Sequence, residues 1–204
     1  MKHIMVDIET LGAARESAPV ISIAAIKFDL NAGEVDTDNA FYKNISLPDA
    51  VSYGKIEKGT WGWWMADERR EVLQNILFDK KATTTREALI ALNKWVGTGK
   101  KQQTPWAQGT DFDFAILDRL TAQLDVTNPF SMFWRRRDVR TFKDTIRNLG
   151  VPELDVPRRT GLAHNALSDV IHQIDTMIAY NDAIKALNNK IPDGTKEGEE
   201  SNAV

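Results

Sequence analysis

Met5-Val6-Asp7-Ile8-Glu9-Thr10-Leu11-Gly12 is the stretch on which the fold turns. Two acids alternate with apolar residues, and a period of two marks a strand with at least one face in a core. Residues i and i+2 of a strand share a face, so Asp7 and Glu9 project together while Val6 and Ile8 face the other way. Neighbouring carboxylates on a largely buried strand are costly to leave unpaired. A divalent cation, which takes oxygen ligands, offsets that cost. An exposed edge strand whose acids meet Lys or Arg would offset it too, and eight residues do not separate the two readings. The remainder of the chain must decide.

The chain has 204 residues, the length of one ordinary domain with a substantial core. Its hydrophobic content of 42% and charged content of 27% are those of a soluble globular protein. The apolar runs are too short to span a bilayer and no signal peptide precedes the first strand, so a cytoplasmic protein without a membrane partner is expected. There is no cysteine, which excludes disulfides and thiolate metal sites. Three histidines, His3, His164 and His172, are too few for a zinc site built on several imidazoles. A net charge of −3 gives no global attraction to nucleic acid, so such a partner needs local basic patches or metal bridges.

Downstream, residues 10–19 read as a loop, and Val20 to Phe28 as a strand apolar on both faces. Asn31-Ala32-Gly33 is a turn signal, and Ala40 to Ser46 returns as a half-polar strand, giving an antiparallel meander. Residues 47–67 read as irregular. Helical spacing follows from Asp67, a candidate N-cap, through Val72, Leu73, Ile76 and Leu77. Thr84 and Glu87 form a capping box for a second helix that stops at Gly97. Thr104 to Gln108 is a short strand in which Pro105 belongs at a start or an edge. A helix with Phe112, Ile116, Leu117, Leu120 and Leu124 on one side follows, and Pro129 to Trp134 is a candidate fifth strand. Thr141 to Leu149 is a helix closed by Gly150 and Pro152, and Leu167, Val170, Ile171, Ile174, Met177 and Ile178 mark the last helix. Residues 1–190 thus form a single α/β domain on a mixed sheet, and 191–204 a disordered polar tail.

Two further acidic stretches bear on chemistry. Trp106-Ala107-Gln108-Gly109-Thr110-Asp111-Phe112-Asp113 lies where a strand gives way to a helix, the usual ligand site of open α/β sheets. Thr110 and Asp113 also match a capping box, and taken alone that is the better reading. Ala163-His164-Asn165-Ala166-Leu167-Ser168-Asp169 opens the last helix, with Asn165 as N-cap. His164 and Asp169 can converge only if the histidine sits in the loop and the acid in the first turns. A loop imidazole and a helix-dipole acid are the ordinary explanations of each.

The three stretches together, Asp-x-Glu on a first strand, Phe-Asp at a strand-to-helix turn and His-x4-Asp opening the last long helix, resemble the DEDDh exonucleases, the DnaQ-like branch of the ribonuclease H-like superfamily. The resemblance covers about residues 3–180. The Trp-Ala-x-Gly-x-x-Phe-Asp run and Arg137-Asp138-Val139-Arg140-Thr141 look most like small phage-type and bacterial exonucleases, some described as exoribonucleases. It implies a five-stranded mixed sheet flanked by helices, and a 3′–5′ exonuclease acting on single-stranded DNA or RNA. The implied site is Asp7, Glu9, Asp113, His164 and Asp169. The four acids would hold two Mg²⁺ or Mn²⁺ ions, and His164 would take the proton of the attacking water. Asp111 competes with Asp113, which is preferred because it directly follows Phe112 and precedes Ala115-Ile116-Leu117.

Trp61, Trp63 and Trp64 fit core packing better than stacking on bases. Arg135, Arg136, Arg137, Arg140, Arg158 and Arg159 suit phosphate contacts or a solvated face. His3 is read as peripheral and His172 as a helix-surface residue. A non-catalytic nucleic-acid or partner-binding module on the same fold is the competing function. It gives no reason to keep four mutually repelling carboxylates.

Overall fold

In the computed structural model, which describes residues 1–97, 103–151, 154 and 161–188, the opening stretch forms β1 (His3–Thr10). Its alternation places it between two cores. Ile4, Val6 and Ile8 enter one hydrophobic cluster, and Met5 enters another on the opposite face of the sheet. A slip of one residue would drive Asp7 and Glu9 into the first cluster and take Val6 and Ile8 out of it, so the register is fixed by burial.

β2 (Val20–Asp29) pairs antiparallel with the whole of β1 and is buried on both faces, as its continuous apolar run requires. β3 (Glu34–Val35) and β4 (Phe41–Asn44) pair with successive parts of the far edge of β2. On the other side β5 (Thr104–Ala107) and β6 (Arg137–Asp138) add in parallel, giving the order β3-β2-β1-β5-β6. The mixed sheet flanked by helices is as expected, with six strands where five were anticipated. The extra one is the two-residue β3. Thr104 N donates to Lys2 O, so the next nitrogen along, that of Pro105, faces the edge where β6 pairs only from Trp106 onward. The missing N–H therefore removes no ladder bond.

The helices are α1 (Leu47–Ala50), α2 (Lys58–Trp64), α3 (Asp67–Leu77), α4 (Thr85–Val96), α5 (Thr110–Gln123), α6 (Val139–Asn148) and α7 (Ala166–Asn188). α3 starts at Asp67 as expected, with Ala66 rather than Asp67 at the N-cap. The capping box of Thr84 and Glu87 forms at the head of α4. α3, α4 and α5 supply Val72, Leu73, Leu89, Leu92 and Leu117 to the first core, and α7 lays Val170, Ile174 and Met177 over the second.

Two expectations need correction. Residues 47–67 are not irregular: they hold α1, a 3-10 turn at Val51–Tyr53 and α2. Gly59 and Gly62 lower the helix propensity of α2, which is held by burial of Trp64 and by its Nε1 donating to Thr10 O at 2.9 Å. Residues 129–134 form no strand. Asn128 Oδ1 accepts from Phe130 N, Phe130 alone is buried, and Phe133 and Trp134, 72% and 63% exposed, open a 3-10 turn. The edge strand comes later, at β6. Among the described residues no helix is long and apolar enough to cross a membrane. Pro152, Arg158, Arg159 and the 191–204 segment, expected to be a disordered tail, lie outside the described residues.

Candidate active site

Pairing of β1 with β5 ends at Met5 and Trp106, so Asp7 and Glu9 stand beyond the end of the parallel ladder. Their side chains project on the face covered by α7. There each of Asp7, Glu9 and Asp169 offers a carboxylate oxygen, and these atoms all lie within 4.8 Å of one another. A register shift between β1 and β2 falls at Glu9 and Thr10, where Thr10 pairs with Val20 rather than Ile21. Such bulges re-aim a strand end. Gln173, one helical turn beyond Asp169 on the same face of α7, donates from Nε2 to Asp7 Oδ1 at 3.0 Å.

Asp113 lies outside that group of three. It sits in the first turn of α5, is 5% exposed, and its Oδ1 accepts from Ile8 N at 3.2 Å, against the β1 backbone between Asp7 and Glu9. Burial pushes its carboxyl up to about 7, opposed by the Ile8 amide and by the Arg140 guanidinium. Asp111, the competing acid, is exposed at the start of the same helix.

The turn carrying Asp113 is fixed by a residue from the Arg-Asp-Val-Arg-Thr run. Asp138 Oδ2 accepts from Gly109 N at 2.9 Å and Thr110 N at 3.0 Å, while its Oδ1 caps α6 through Thr141 N at 3.0 Å. Burial raises the Asp138 carboxyl, but the backbone donors together outweigh it and hold the group below the usual range. Gly109 has φ +120°, which asks for glycine, and a Cβ there would lie 2.8 Å from the mobile end of Arg140, at Nη1.

His164 stands in the turn before α7, with φ +64° in the left-handed region that histidine enters more readily than most residues. Asn165 caps the helix, its Oδ1 accepting from Leu167 N and Ser168 N at 3.2 Å each, and its Nδ2 donates to Tyr42 Oη. The imidazole meets Trp63 edge-to-face with ring centroids 4.6 Å apart. Trp63 is 41% exposed and carries the Arg69 guanidinium over its ring at 4.3 Å. The three tryptophans divide accordingly. Trp64 is core, Trp61 packs half-buried against it, and Trp63 lies at the histidine.

The arginine cluster also divides. Arg136 is tied to both oxygens of Asp118, at 2.6 and 2.7 Å, and to Phe130 O, which makes it structural. Arg140 lies against the Asp113 turn. His3 accepts from Trp106 Nε1 at the far end of β1, peripheral as expected. His172 is half-buried on α7 rather than a plain surface residue. The contacts of Gln173 and Asp138 escaped the sequence reading, although the spacing Asp169 plus four residues points to the first.

The donor set fits a hard cation: oxygen ligands only, crowded and alike in charge, in a chain with no cysteine.

Comparisons with solved structures agree with the fold. Cell-death related nuclease 4 (CRN-4) matches with TM-score 0.59 and 16% identity, covering 90% of this chain and 64% of that one. The nuclease domain of 3′hExo, described as a DEDDh family member and bound to rAMP, matches with TM-score 0.57 and 13% identity over 92% of both chains. Pop2p of S. pombe, in a form with bound Mg²⁺ and Mn²⁺, matches with TM-score 0.59 and 13% identity, covering 93% and 86%. The chain spans under two thirds of the nuclease 4 structure and 39–43% of several exonuclease I structures. No curated protein matches the sequence. The model of the Rv2179c-like 3′–5′ exoribonuclease domain matches residues 2–180, and the chain therefore belongs to the Rv2179c-like family.

Proposed function

We propose that this protein is a divalent-metal-dependent 3′–5′ exonuclease that releases nucleoside 5′-monophosphates from single-stranded RNA or DNA. The observation that carries the reading is the convergence of Asp7, Glu9 and Asp169 from opposite ends of the chain, with His164 on the turn that introduces Asp169. Family membership supports the reaction class.

Asp7, Glu9 and Asp169, joined by Asp113 once ionised, are the residues that would hold two Mg²⁺ or Mn²⁺ ions. Bound there, the ions would acidify a water and offset charge on the scissile phosphate. His164 would take the proton of the attacking water as the water's oxygen bonds to phosphorus. The bond from phosphorus to the 3′-oxygen of the preceding nucleotide breaks, and that oxygen leaves as a hydroxyl after taking a proton from solvent. Trp63 and the exposed face of α2 border the histidine, where a terminal nucleotide would be received. A cytoplasmic setting belongs to the same proposal.

The test is digestion of matched RNA and DNA oligomers, labelled at either end, in chelator and after adding Mg²⁺, Mn²⁺ or Ca²⁺. Mg²⁺ and Mn²⁺ should restore shortening from the 3′ end with release of 5′-monophosphates. Ca²⁺, with its larger and looser coordination, should restore little. A circular single strand should survive. Robust cleavage in excess chelator, or efficient cutting of the circle, would end this reading.

A further inference from the structure

Gln173 is 6% exposed, in the middle of α7, over the acids of β1. Its two amide atoms have opposite standing. Nε2 donates to Asp7 Oδ1 at 3.0 Å. Oε1 is buried and accepts no hydrogen bond among the described residues. A buried acceptor without a donor opposes folding, and an apolar side chain of the same volume would avoid that cost. Packing alone therefore does not account for an amide at this position.

The contact to Asp7 accounts for it. A Lys or Arg here would neutralise Asp7 and compete with a cation for its oxygens. A neutral N–H holds one oxygen in place and leaves the carboxylate its charge. The spacing makes this specific: Asp169 and Gln173 are four residues apart on one helix face, so α7 presents an acid and the amide that orients a second acid side by side. Carboxylates that bind metals are themselves held by hydrogen bonds, and losing such a partner lowers metal affinity 10–100-fold. The unpartnered Oε1 is also the acceptor that a water in the coordination sphere of a cation would require.

We propose that Gln173 is a positioning residue for cation binding, orienting the Asp7 carboxylate through Nε2 while Oε1 receives a hydrogen bond only when a hydrated cation is bound. The proposal rests on reading Asp7, Glu9 and Asp169 as a cation site.

Titration of Mn²⁺ alone into the metal-free full chain, followed by calorimetry, tests it in wild type, Gln173→Met and Asp169→Asn. Gln173→Met keeps the volume and loses both polar atoms. Its Mn²⁺ affinity should fall 10–100-fold, while its thermal midpoint in chelator should be unchanged or higher, since the buried orphan is gone. A residue that only packs would show the reverse, a lowered midpoint with unchanged affinity, and that result overturns the proposal. Gln173→Leu serves if the methionine variant misfolds, with the same two readouts. Should wild type bind no Mn²⁺, the cation reading itself falls. If wild type binds, Asp169→Asn fails to bind and Gln173→Met binds as wild type does, only the role of Gln173 falls.

Discussion

Asp113 is kept at the site in a costly form. Its carboxyl is buried, its pKa is pushed up to about 7, and it accepts from the Ile8 amide. In the unfolded chain an aspartate titrates near 3.9, so between these values the folded protein binds the extra proton. Stability of the metal-free protein from this group is full below about pH 4 and is lost as pH rises through about 7. Urea unfolding of chelator-treated protein should therefore show stability declining from pH 5 to pH 8, and Asp113→Asn, which stays neutral, should flatten that decline. An unaltered slope in the variant would place the titration elsewhere. Asp7 and His164 differ in another way. Asp7→Ala should abolish turnover and weaken Mn²⁺ binding together. His164→Ala should leave Mn²⁺ binding nearly intact and slow single turnovers by about 10²–10⁴-fold, the range for a lost general base. Equal loss of metal in both variants would make the imidazole a ligand.

α2 shows how an element can be short, poor in helix formers and still set the site. Trp64 hangs it from the end of β1 through Thr10 O, and Trp63 then meets the His164 ring. Because Trp63 is 41% exposed, its removal leaves no deep cavity. Trp63→Ala should cost about 10–100-fold in turnover through misplacement of His164. On a His164→Ala background the same change should add less than about twofold. Losses that multiply would show that Trp63 acts on the substrate by stacking, a contact independent of the histidine. Elements with a period were legible beforehand: β1 and β2 from alternation and apolar run, α4 from Thr84 and Glu87, α7 from its stripe and from Asn165. α2 was not, because Trp-Gly-Trp-Trp carries no amphipathic period and its stability comes from the tertiary contact of Trp64. The run from Pro129 to Trp134 misled because an apolar stretch is ambiguous until the Asx turn at Asn128 and the Arg136–Asp118 pair, both set by folding, decide its shape. The approach of Asp7, Glu9 and Asp169 could be drawn only from the family resemblance. Spacing within each stretch fixes a face, not which faces meet.

At the scale of the molecule, the acid cluster is a closure between β1 at the start of the chain and α7 at its end, joined across one face of the sheet. Crowded carboxylates oppose this closure, and a cation held between them would draw the elements together, so metal occupancy and global stability would be linked. At free Mn²⁺ of 100 times its Kd, binding to the folded state alone adds about 2.7 kcal/mol. For a chain of this length that corresponds to a rise of about 5–10 °C in thermal midpoint. Asp169→Asn separates this linkage from a purely helical role for the acid. As a ligand, Asp169 is a source of repulsion in the metal-free protein, so its variant should melt no lower than wild type in chelator and should lose most of the Mn²⁺-induced rise. As a mere partner of the helix dipole at the head of α7, its loss should lower the midpoint in chelator and leave the Mn²⁺ response intact. Differential scanning calorimetry of both proteins, with and without Mn²⁺, distinguishes the two. A variant that melts lower yet keeps the full metal response would remove Asp169 from the site and, with it, the closure of the chain on a cation.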